Sequence, residues 1–63
     1  MKYYLIHEYY CFDLLMYVEE ILECDSEQEA RDILTSLKQD PNYKGYRLIQ
    51  GNLLEEKYTY GNN

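Results

Sequence analysis

The chain predicts a small α+β domain of ββαβ order: a sheet of three strands, or of four if the C-terminal run returns, with one helix on one face. Three observations lead there. Ser26-Glu27-Gln28-Glu29 opens a helix-periodic apolar run. Residues 2–10 form a tyrosine-rich stretch without Gly or Pro. A Gly51-Asn52 pair separates two short runs of strand-forming residues near the C-terminus. At 63 residues the chain forms a single domain, 1–63, with 60–63 expected to fray.

The helix is the sharpest element. In a capping box, the Ser26 hydroxyl accepts from the Glu29 N–H while the Glu29 carboxylate reaches back to the Ser26 N–H. Ala30, Ile33, Leu34 and Leu37 then fall at i, i+3, i+4 and i+7, with Arg31, Asp32, Ser36 and Gln39 around the other side. Glu27 and Glu29 sit near the positive end of the helix dipole and Lys38 near the negative end. Pro41 forces Asp40 out of helical geometry. The spacing predicts a helix over 27–39.

Residues 2–10 read as a strand whose two faces are Tyr3, Leu5, His7, Tyr9 and Tyr4, Ile6, Glu8, Tyr10. Both are largely apolar, which suits a central strand. Residues 14–24 admit two readings. A helix would align Leu14, Leu15, Val18, Ile21 and Leu22, but it would set Glu19, Glu20 and Glu23 against the dipole and leave almost no linker before Ser26. A strand places Leu14, Met16, Val18, Leu22 and Cys24 on one face, with Glu20 as the exception, and Leu15, Tyr17, Glu19, Ile21 and Glu23 on the other. The strand is favoured. Asn42-Tyr43-Lys44-Gly45 reads as a turn and Tyr46 to Gln50 as a third strand. Gly51-Asn52 is a two-residue hairpin signal, after which Leu53 to Tyr60 can return as a fourth strand.

A hairpin of the first two strands, followed by a helical crossover, lets strand three pair with strand one in the order 2-1-3. One helix covers one face only. The other keeps Tyr4, Ile6, Tyr10, Tyr17 and Ile21, a patch too apolar for a monomer in water, and it predicts a homodimer through that face. Nine tyrosines point the same way, because a ring with a polar tip suits a surface buried against a partner yet meeting water at its rim.

Composition narrows the function. A formal charge of −6 disfavours nucleic acid and anionic membranes, both of which recruit Lys and Arg. No run approaches the roughly 18 apolar residues of a membrane span. MKYYLIHEYYCF is broken by His7 and Glu8 and has no secretory pattern, so Cys11 and Cys24 are expected as free thiols in the cytoplasm. A bridge across a hairpin is the alternative. Cys11, Cys24 and His7 lack metal-ligand spacing, and neither cysteine has an activating base nearby in sequence. Glu19-Glu20 and Glu55-Glu56 would point to opposite strand faces rather than share a site. No catalytic residue, cofactor or metal is expected, and the chain reads as a non-enzyme.

From Glu19 to Asp32, seven carboxylates face one cation, Arg31, a local balance of −6. This stretch either solvates the domain or forms a patch for a basic groove that normally holds phosphates, with Glu19, Glu20, Glu23, Asp25 and Glu27 as the partner-binding residues. With MKYYLIHEYY leading into VEEILECDSEQEA, the short, acidic, tyrosine-rich chain resembles small phage-encoded inhibitors of host enzymes and defence systems. In size and character it is similar to the Hachiman anti-defence family. The resemblance implies a homodimer that binds and blocks a bacterial enzyme acting on nucleic acid, in the cytoplasm of the host. The alternative is a regulatory or structural module of a phage or bacterial complex without inhibitory activity.

Overall fold

The computed structural model describes residues 1–59; the expected fraying of 60–63 lies outside the described residues. The elements are β1 (Tyr3–Cys11), β2 (Met16–Cys24), α1 (Glu27–Leu37), β3 (Tyr43–Gln50) and β4 (Asn52–Tyr58). One antiparallel four-stranded sheet has the order β2-β1-β3-β4. The most apolar strand is thus interior, and β3 runs in the same direction as β2.

The β1–β2 hairpin keeps an unbroken register from Tyr3↔Cys24 to Cys11↔Met16. Residues 14–24 are strand only from Met16, because the chain turns through residues 12–15 with Leu15 at φ 54°. Cys11 and Cys24 are free and stand at opposite ends of this hairpin, about 26 Å apart at a strand rise of about 3.3 Å per residue. A bridge between them is out of reach.

α1 begins as its sequence dictates, with Ser26 Oγ accepting from the Glu29 N–H at 3.1 Å. The return contact differs from the expected one: the Glu29 carboxylate accepts from the Asp25 N–H, not that of Ser26. The helix also stops two residues early, at Leu37. The Lys38 N–H donates to the Leu34 carbonyl as a cap, and the Asp40 carboxylate takes the Asn42 N–H to form the turn before β3.

Two expectations near the C-terminus need correction. The turn expected over Asn42–Gly45 ends at Asn42: β3 starts at Tyr43, with Gly45 inside it. The β1–β3 register shifts between Glu8 and Tyr9, leaving Lys44 as the extra residue beside this glycine. Gly45 is there because β4 passes too close for a side chain; a Cβ would lie 2.2 Å from the Lys57 carbonyl oxygen and 2.7 Å from Tyr58 Cα. The second hairpin turns on Gly51 alone, at φ +73°, since Asn52 already pairs with Gln50.

The core lies between α1 and one sheet face. Leu34 packs with Leu5 and Tyr46, flanked by Leu22, Ile33, Leu37 and Tyr43. Ala30 packs with Cys24 and Leu48, flanked by Tyr3 and Ile33. No helix among the described residues is long and apolar enough to cross a membrane.

Leu34→Ala should therefore cost about 2–5 kcal/mol, a large share of the stability of so small a domain. Gly45→Ala should cost about 1–3 kcal/mol, because β3 or β4 must move to admit the methyl group. Urea melts of both variants check this, and a Gly45→Ala protein as stable as the wild type would contradict the close β3–β4 approach.

Candidate partner-binding surfaces

The strand pairing defines the face that α1 leaves uncovered. Across β2 and β1 it runs Glu23–Tyr4, Ile21–Ile6, Glu19–Glu8 and Tyr17–Tyr10. β3 adds Ile49, Arg47 and Gly45, and β4 adds Leu53, Glu56 and Tyr58 opposite them. Tyr4, Ile6, Tyr10, Tyr17 and Ile21 all lie on this open face. Ile21 is 67% exposed, Leu53 53% and Tyr17 45%, while Ile6, Ile49 and Tyr10 are half-buried by their neighbours.

Ile49 and Leu53 extend the patch beyond what the sequence reading included. Period-two alternation in Tyr46 to Gln50 already separates Ile49 and Arg47 from Tyr46 and Leu48, so that signal was present. The turn between β1 and β2 adds a second apolar surface: Phe12, Leu14, Leu15 and Met16 are all more than half exposed. Tyr10 joins it to the open face, meeting Phe12 and Tyr17 edge-on at 4.9 and 5.2 Å between ring centroids.

The acidic residues share a margin rather than a face. Glu19 and Glu23 point to the open side of the edge strand β2, and Glu20 points to the helix side opposite His7. Asp25 follows in the loop and Glu27 in the first turn of α1; all five are exposed. Three cations meet this run, two of them, Arg47 and Lys2, from distant segments. Arg47 Nη2 donates to Glu19 Oε2 at 2.9 Å, and Arg31 Nη2 lies 2.9 Å from Glu27 Oε2. Lys2 bonds Asp25 and lies 3.6 Å from Glu23. That hydrogen bond and charge hold the Asp25 carboxyl below its ordinary range. Local counting along the chain saw only Arg31; pairing across the sheet brings in Lys2 and Arg47.

The groups with chemical potential are kept apart. His7 is 3% exposed, stacked between Tyr9 and Tyr43, and neither ring nitrogen has a hydrogen-bond partner. Its Nδ1 is 3.8 Å from Glu20 Oε1, beyond hydrogen-bond reach. Cys24 lies farther along the covered face, where burial, reinforced by Glu29, Asp25 and Glu23, pushes its thiol up and keeps it protonated at neutral pH. Among the described residues, no three His, Cys, Asp or Glu side chains converge as metal ligands, and no pocket opens. Glu55 and Glu56 point to opposite faces, beside Leu48 and Arg47 respectively.

Glu55 fastens the helix to β4. Its carboxylate accepts from Arg31 Nη1 at 2.7 Å and interacts with the Tyr46 hydroxyl, and these hydrogen bonds hold its pKa below the ordinary value. A depressed folded-state pKa gives stability that is present above the unfolded-state value of about 4.3 and is lost as pH falls through the folded one. Both side chains are partly solvated, so the contribution is about 0.5–1 kcal/mol. Arg31→Met should be less stable than wild type at pH 7 by that amount, with the gap closing toward pH 3. A gap unchanged by pH in thermal melts would assign the effect to lost packing.

Comparison of the chain with protein-family models, with curated proteins and with solved structures finds no match.

Proposed function

We propose that this chain is a small, acidic, non-catalytic binding protein, a phage-encoded inhibitor of a bacterial nucleic-acid-processing or defence enzyme, acting in the host cytoplasm. The observation that carries the reading is the exposed carboxylate margin, Glu19, Glu20, Glu23, Asp25 and Glu27, strung along the β2 edge and into the first turn of α1. Along a strand the carboxylates recur at about 3.3 Å per residue, so the margin from Glu19 to Asp25 extends about 20 Å. A line of negative charge of that length fits a basic groove that otherwise holds phosphates. The tyrosines beside it supply anchors of the kind that dominate binding energy.

Glu19 and Glu27 are hydrogen-bonded to Arg47 and Arg31 and Asp25 to Lys2, which leaves Glu20 and Glu23, the latter 3.6 Å from Lys2, as the less tightly held pair. Glu20→Lys/Glu23→Lys should keep the fold, since solvated substitutions change stability by about 0.5 kcal/mol or less. With a target recovered from bacterial lysate, the double variant should slow association at least tenfold, and wild-type association should slow steeply with salt. Full-rate binding by the double variant would reduce the margin to a solubilising surface.

The second reading, a regulatory or structural module of a phage or bacterial complex, is favoured by the open apolar face, which suits a subunit of a larger assembly. Co-purification with virus particles would select it over the inhibitor.

A further inference from the structure

We infer that the outer edge of β2 is a strand-addition site, and that its ligand is an extended basic segment of a partner protein, paired antiparallel with Glu19–Glu23. The inference rests on the reading of the acidic margin as a partner surface, but it needs no inhibitory role.

Backbone geometry marks the site. β2 lies at one end of the sheet, so only one of its sides is paired. The Tyr10 N–H donates to the Asn42 carbonyl on the β3 side, and backbone groups alternate along a strand, so those of Tyr9, His7, Leu5 and Tyr3 turn toward β2. Their partners in register are Val18, Glu20, Leu22 and Cys24. The amides and carbonyls of Glu19, Ile21 and Glu23 therefore point outward, where no strand lies beside them among the described residues. Such a row is a template for another strand. The devices that blunt an edge are missing from β2, which runs nine residues in unbroken register with no Pro and no Lys. β4, at the other end of the sheet, has them. It is shorter, its register with β3 shifts between Leu48 and Ile49, and it carries Lys57.

Charge and side-chain pattern name the occupant. Antiparallel self-pairing of β2 centred on Glu19, Glu20 or Ile21 sets Glu19 against Glu19, Glu20 against Glu20, or Glu19 against Glu23. Like charges directly opposite destabilise a ladder, so these registers reject a second copy. A basic segment meets the opposite condition. Glu20 and Glu23, the less tightly held carboxylates, have Ile21 and Leu22 between them. The partner strand then reads cation, apolar, apolar, cation opposite Glu23, Leu22, Ile21 and Glu20. Next come a neutral residue opposite Glu19, which Arg47 already holds, and an apolar one opposite Val18. Two cations three positions apart fall on opposite faces of a strand, as Glu20 and Glu23 do.

The probe is a blocked peptide, Lys-Val-Ile-Lys-Thr-Val-Tyr, titrated into the isotope-labelled chain and followed by NMR. The amides of Glu19, Ile21 and Glu23 should move and gain protection from solvent exchange, with a dissociation constant of about 1 mM or tighter. Those of Val18, Glu20 and Leu22, already turned toward β1, should change little. Glu20→Lys/Glu23→Lys should weaken peptide binding about tenfold or more with circular dichroism unchanged. Proline in place of the peptide's isoleucine, opposite Ile21, removes a ladder donor and should abolish binding. No movement at this edge up to about 5 mM peptide would overturn the inference. So would equal binding of the proline peptide or of one with both lysines exchanged for glutamate, or movement confined to Ile6, Ile49 and Leu53. Protection of the edge amides without peptide, growing with chain concentration, would give the edge to a second copy and overturn it too. A chain that binds the peptide at this edge but recovers no target enzyme sinks the inhibitor reading and leaves strand addition standing. A double variant that loses its target, while the wild-type chain ignores the peptide, does the reverse.

Discussion

The structure depends on one constraint: a single eleven-residue helix can cover only one side of a sheet whose central strand is apolar on both. Leu5, facing α1, is buried against Leu34 and Tyr46, and both clusters of buried apolar side chains lie on that side. Its neighbours Tyr4 and Ile6 face the other way and have only the sheet itself for company. Pairing β1 between β2 and β3 shields its backbone and half-buries Ile6, yet the side chains at the sheet margins, Ile21 and Leu53, remain in water. For a chain this short, burying more apolar surface requires association.

The same shortage explains how β4 is used. It contributes little to the core, and Glu55, Glu56 and Lys57 make it the most polar strand. Its value is positional. Glu55 takes Arg31 from the helix, Tyr58 closes over Gly45, and the strand removes β3 from the edge of the sheet. Glycine at 45 is the condition for that close approach. Charge is arranged in a similar way, with Arg47 on the inner strand β3 reaching across to Glu19 on the edge strand, so part of the acidic run is neutralised from the far side of the sheet.

Much of this was legible in the sequence. The Ser26 cap and the Ala30, Ile33, Leu34, Leu37 stripe located the helix because local hydrogen bonding and period 3.6 act within a few residues. The aromatic and branched residues of 2–10 identified the central strand and its two faces, and with the strand reading of 14–24 they gave all five residues of the expected apolar patch. The misreadings share a cause. Gly45 looked like a turn residue, but its role is set by β4, thirteen positions later in the chain. Leu14 and Leu15 looked like strand, although the hairpin needs them to turn. The run from Glu19 to Asp32 counted as nearly unpaired because Lys2 and Arg47 meet it only after the sheet forms. Local patterns encode elements, and contacts between distant segments decide what those elements do.

The most direct test of the account is the solvent exposure of methyl groups on the two sides of the sheet, read in dilute solution from paramagnetic relaxation by a soluble, uncharged gadolinium chelate. The methyls of Leu5, Leu34 and Leu48, enclosed beneath the helix, should relax slowly. Those of Ile21 and Leu53, at the margins of the uncovered face, should relax fast. Equal protection of the two sets would contradict the claim that one helix covers one face of this sheet and leaves the other open.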